Sequence, residues 1–114
     1  MSAEEQLRIV TYERPGRSVV ELRGELDMVT SPQLAQTLVE LDASGTQTVV
    51  LDLRAVSFMD STGLKAIFKA RNFARKRGQE FAVTPGSAQV QRLLGLTRLD
   101  EHLRTIATPD AVLA

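Results

Sequence analysis

A chain of 114 residues with 43% apolar and 25% charged side chains has the make-up of one globular domain able to bury a core. Fourteen basic and fourteen acidic residues cancel, which leaves no bulk attraction to nucleic acid or to an anionic membrane. The absence of cysteine excludes disulfides and thiolate metal sites.

The start, Met1-Ser2-Ala3-Glu4-Glu5, is acidic and carries no apolar h-region, so no signal peptide is expected. No apolar run approaches the roughly 18 residues that a spanning helix needs. The expectation is a single cytoplasmic domain over residues 1–114.

Leu7 to Tyr12 is rich in Ile, Val, Thr and Tyr and reads as a strand. Pro15-Gly16 follows in the order of a type II turn. From Ser18 to Leu26 the pattern alternates, with Val20, Leu22 and Leu26 against Glu21, Arg23 and Glu25. This is a half-buried strand pairing antiparallel with the first, and Gly24 marks a bulge or a close backbone approach. Ser31-Pro32 reads as a cap and first helical residue, Leu34, Thr37, Leu38 and Leu41 repeat at helical spacing, and Ser44-Gly45 is expected to end that helix.

Val49-Val50-Leu51-Asp52-Leu53 reads as a buried strand, and the small polar run Asp60-Ser61-Thr62-Gly63 opens a second helix from about Ser61 to Arg77. Leu64, Ile67, Phe68, Ala70, Phe73 and Ala74 form its apolar arc, and Lys65, Lys69, Asn72 and Lys76 a basic stripe opposite. That stripe is either a solvated face or a docking face. After Gly78, Glu80 to Thr84 reads as a strand, and Pro85-Gly86-Ser87 leads into a short helix closed by Gly95. Leu103 to Ala107 reads as a last short strand, and Thr108-Pro109 as the start of a terminal helix anchored by Val112 and Leu113. The expected fold is α/β, a mixed four- to five-stranded sheet with helices mostly on one face.

Enzymatic constellations are missing from the sequence. The single histidine, His102, lies far along the chain from Ser61, and Asp-Ser-Thr-Gly is not a nucleophile elbow. Asp27, Asp52, Asp60 and Asp100 are scattered, and no Gly-rich phosphate loop occurs. Neither an enzymatic activity nor a cofactor nor a metal is expected. From spacing alone the favoured reading is that Asp60 or Ser61 caps the helix; Ser61 can also be a nucleophile or a phosphate acceptor. Two features raise the acceptor reading against the cap: the strand-to-helix position, and Gly63, which would keep bulk from the hydroxyl.

Val49-Val50-Leu51-Asp52-Leu53-Arg54 with Ser57-Phe58-Met59-Asp60-Ser61-Thr62-Gly63-Leu64 resembles the signature of the STAS domain, and within it the bacterial anti-sigma factor antagonists. Gly24-Glu25-Leu26-Asp27 and the leucine-rich Val90 to Leu99 are similar to further segments of that family. The resemblance implies a partner-switching phosphoprotein in transcription regulation. Its unphosphorylated form binds an anti-sigma factor that is also a serine/threonine kinase, and so frees a sigma factor. Phosphorylation of Ser61, or alternatively Thr62, switches binding off, and a serine phosphatase restores it. The implied contact surface is Asp27, Met28, Thr30, Met59, Asp60, Ser61, Thr62, Gly63 and Lys65, with Lys69 as an extension. No direct nucleic-acid contact or membrane insertion is implied. The alternatives are a non-switching STAS subunit or scaffold of a signalling or membrane transport complex, and a nucleotide-binding sensor.

Overall fold

The computed structural model describes residues 6–41 and 45–112, the side chains of Leu99 and Asp100 apart. Strand β1 (Leu7–Arg14) turns through Pro15-Gly16 into β2 (Arg17–Leu26), with Arg14 opposite Arg17. Gly16 sits at φ +78°, the left-handed value that the second central position of a type II turn requires. Helix α1 (Ser31–Glu40) leads to β3 (Thr48–Met59), α2 (Ser61–Lys76) to β4 (Glu80–Val83), and α3 (Ala88–Leu96) to a 3₁₀ turn (Leu99–His102) and β5 (Arg104–Thr105).

Among the described residues five strands lie in sequence order, β1 antiparallel to β2 and the later pairs parallel. Each parallel step crosses over through one helix, and all three helices pack on the same face. Leu34 and Leu38 of α1, Leu64, Ile67 and Ala70 of α2, and Val90 and Leu94 of α3 share one core with Val20, Leu22, Leu51 and Leu53. The basic stripe predicted on α2 faces outward: Lys65, Lys69, Asn72 and Lys76 are all exposed, as both a solvated face and a docking face require.

The opposite face has a smaller core of Val19, Val50, Ala82 and Ile106, against which Tyr12 and Ala111 pack. Beside it Asp52, 2% exposed, takes a bidentate bond from Arg54 (Nε and Nη2, both 3.0 Å) and one from the Thr84 hydroxyl at 3.1 Å. Burial alone raises the Asp52 pKa. The bonds from Arg54 and Thr84 more than offset that and hold it below the ordinary 3.8. A carboxylate with a depressed pKa contributes stability above its unfolded-state pKa and loses it as pH falls through the folded value. Thermal melts should therefore show a loss of Tm on acidification below about pH 4, steeper in wild type than in Asp52→Asn, whose Tm is lower at pH 7. Equal acid dependence in the two proteins would refute the role given to this carboxylate.

Several expectations need correction. Ser31 is the first helical residue and Thr30 the N-cap, without a side-chain cap bond, because the Thr30 hydroxyl is spent on Glu25 and Asp27. Helix α1 ends at Glu40, ahead of the expected stop, and Ser44 lies outside the described residues. Gly95 lies inside α3, and the chain leaves that helix through Thr97 and Arg98, the latter at φ 59°. Residues 108–112 form turns rather than a helix. Arg17 donates to the carbonyls of Pro109 (2.6 Å) and Ala111 (2.9 Å), which fixes the segment across the sheet, and Val112 is exposed. Leu113 lies outside the described residues.

Candidate functional site

The C-terminal ends of β2 and β3 meet at the start of α2, where a parallel sheet feeding helices places its loops together. Glu25 pairs with Phe58 and Leu26 with Met59, after a register shift beside Gly24. Gly24 is at φ +112°, and a Cβ there would meet the Gln6 carbonyl oxygen at 2.1 Å, so the bulge and the close approach coincide.

One residue, Asp60, separates β3 from α2. Its extended backbone and its Oδ1, which accepts from the Gly63 N–H at 2.9 Å, make it the N-cap, contributing about 1 kcal/mol. The capping role is therefore Asp60's, which leaves the Ser61 hydroxyl free of it. Ser61 is the first residue of α2 and is exposed, beside the N–H groups and positive dipole end of that helix. Thr62 is half-buried and turned towards α1.

The β2–α1 loop is built by Asp27. Its Oδ1 accepts from the N–H groups of Val29 (2.9 Å) and Thr30 (3.1 Å), and its carbonyl accepts from the Ser31 hydroxyl at 2.6 Å. Thr30 is fully buried, its hydroxyl donating to Glu25 O (2.8 Å) and accepting from the Asp27 N–H (3.0 Å). The two loops are joined by the Asp60 N–H, which donates to Leu26 O at 3.3 Å.

Of the expected contact residues, Thr30, Met59 and Gly63 are buried; they shape the loops and present no side-chain surface. Gly63 also has a different reason from the one read in the sequence. Its missing Cβ faces inward, 2.2 Å from Leu26 O and 2.9 Å from Met59 Cγ, rather than towards the Ser61 hydroxyl. Met28 (71% exposed), Ser61 and Lys65 are outward. An apolar groove of about 340 Å³ runs on from them between α1 and α2, lined by Met28, Pro32, Val39, Thr62, Lys69 and Phe73 among others.

Gln89 was invisible to sequence reasoning. Its side-chain amide donates to Met59 O (2.8 Å) and accepts from the Met59 N–H (3.0 Å), standing in for a neighbouring strand at the end of β3. A lone glutamine in a helix carries no signal of that job. His102 is exposed in the 3₁₀ turn and takes no part in the Ser61 surroundings. Among the described residues no cluster of three or more His, Asp or Glu side chains could hold a metal, and no helix is long and apolar enough to cross a membrane.

This sheet, with helices on one face and a capped serine at the β3–α2 junction, is that of a STAS domain: residues 8–112 match the family, and the chain belongs to it. The chain is 30% identical over 110 residues to the anti-sigma-F factor antagonist RsfB of Mycobacterium tuberculosis, covering 95% of this chain and 88% of that protein. It is 32% identical over 82 residues to the anti-sigma-B factor antagonist of Staphylococcus aureus, covering 72% and 76%. The crystal structure of an anti-sigma factor antagonist from Mycobacterium paratuberculosis superposes with a TM-score of 0.80 at 32% identity, covering 96% of this chain and 93% of that one.

Proposed function

We propose that this chain is a cytoplasmic anti-sigma factor antagonist whose binding surface is gated by phosphorylation of Ser61. Unphosphorylated, it binds an anti-sigma factor that is also its serine kinase and so frees a sigma factor; a serine phosphatase returns it to the binding form. The observation that carries the reading is the division of labour at the start of α2. Asp60 supplies the cap and Ser61 is left exposed at the helix N-terminus. Phosphate there adds about −1.5 to −2 charge and sits well on the helix dipole, so the domain stays folded while its surface gains negative charge.

Exposure favours Ser61 over Thr62 as the acceptor, since Thr62 lines the groove beside α1. The docking surface consists of the Asp27-built loop with Met28, the outward face of Asp60, Ser61 and Lys65, and the adjoining α1–α2 groove as far as Lys69. Incubation with ATP and the anti-sigma factor kinase, followed by phosphopeptide mapping, should find one phosphate, on Ser61. Ser61→Ala should abolish the modification and Thr62→Val should leave it. Modification confined to Thr62, or none in wild type, would overturn the assignment.

A further inference from the structure

A second concave site lies at the other end of α2, roughly 20 Å from Ser61 at about 1.5 Å of rise per residue. It is a cavity of about 450 Å³ between the last turns of α2, the start of β4 and the 3₁₀–β5 segment. Arg71 and Arg75 enter it from successive turns of one helix face, and His102 and Arg104 enter from the opposite wall. Phe81 and Gln79, 6% and 7% exposed, belong to the same lining.

Glu80 is the one carboxylate among the described lining residues. It is largely exposed and meets Arg104 at 3.7 Å, the long end of ion-pair distance. Among the described residues Arg71 and Arg75 have no carboxylate partner. Arg71 and Arg75 thus bring two guanidinium groups to a concave site whose one described carboxylate lies against Arg104.

Cations in the last turn of a helix complement its dipole, which accounts for Arg75 and Lys76 on their own. It does not account for Arg71 a turn earlier, nor for the convergence of side chains from the 3₁₀ turn and β5 on the same cavity. Arg77, next along the chain, turns the other way and donates to the carbonyls of Leu38 and Leu41. Planar, permanently charged forks from two walls match the geometry of phosphate oxygens.

We infer that this cavity binds a small phosphate-bearing anion, held by Arg71 and Arg75 on one wall and by His102 and Arg104 on the other. The site is independent of the Ser61 surface, and its occupancy is readable without any partner protein. The test is calorimetric titration of the full chain with pyrophosphate at neutral pH in a buffer free of phosphate and sulfate. One saturable site is expected, weakened at least tenfold in Arg71→Gln and in Arg75→Gln, the order of loss for one charge-assisted contact. Arg92→Gln, which removes the same charge from an exposed position on α3, should bind as wild type does.

Circular dichroism melts run alongside keep loss of fold apart from loss of the site, and the exposed Arg75 makes its variant the safer of the two. No saturable heat, or equal weakening by Arg92→Gln, would overturn the inference. Sedimentation with phosphatidylcholine vesicles containing phosphatidylinositol phosphate then separates two sources of the same chemistry. Pelleting that pyrophosphate reverses assigns the site to a lipid headgroup, and binding in solution without pelleting assigns it to a free phosphate compound.

Discussion

Ser61→Asp should lower affinity for the anti-sigma factor by about two to three orders of magnitude while moving Tm by no more than a few degrees. The two halves of that expectation come from different physics. Ser61 is exposed at the first position of α2, so a carboxylate there costs nothing in packing and gains a few tenths of a kcal/mol from the dipole. At roughly 4–8 °C per kcal/mol for a domain near this size, Tm stays nearly constant. An interface that closes over the same position must desolvate an unpartnered anion, at a cost of several kcal/mol. About 4 kcal/mol converts a nanomolar complex into one near micromolar. Surface plasmon resonance of wild type, Ser61→Asp and Ser61→Ala against the anti-sigma factor, with melts of all three, checks both halves. Wild-type affinity in the Asp variant would sink the gating idea. Weak binding with a collapsed Tm would show that the position serves the fold instead.

What the sequence revealed of this molecule follows from which constraints are local. The alternation of Val20, Leu22 and Leu26 and the apolar arc of Leu64, Ile67, Ala70 and Ala74 were legible, because burial on one face imposes a period on the chain itself. Asp60 was legible as one of two candidate caps for the same reason: a cap acts within three residues. The roles that escaped notice depend on partners distant in sequence. Thr30 reads as a surface residue of a loop until its hydroxyl is seen bridging Glu25 and Asp27 in the interior. Gln89 pairs with Met59 across thirty positions, and Arg17 captures the carbonyls of Pro109 and Ala111 across more than ninety, which overrides the helical signal of Thr108-Pro109. The basic cavity is of this kind too, since Arg71 and Arg75 read as helix surface and Arg104 as strand until the fold brings them to one concavity.

Gly63→Ala should lower Tm by about 10–15 °C. An alanine Cβ would stand 2.2 Å from the Leu26 carbonyl oxygen and 2.9 Å from Met59 Cγ. The methionine side chain can yield. The carbonyl cannot, because it belongs to the last residue of β2 and accepts the Asp60 N–H. Relief requires the first turn of α2 to move off the sheet, which strains the Asp60–Gly63 cap bond and loosens Met59 and Leu64 in the core. Overpacking of this kind costs about 1–3 kcal/mol or more, and the better helix propensity of alanine returns up to about 1 kcal/mol. A net loss near 2 kcal/mol gives the expected fall in Tm. Gly95→Ala supplies the contrast, because Gly95 lies in α3 and, its own helix backbone and chain neighbours apart, no described atom comes within 4 Å of its missing Cβ. There the propensity gain stands alone, and Tm should rise by a few degrees. If both variants were stabilised alike, the β2–α2 contact would not be the constraint that demands glycine. If Gly63→Ala alone falls, the same contact that holds the two loops together also sets where Ser61 stands.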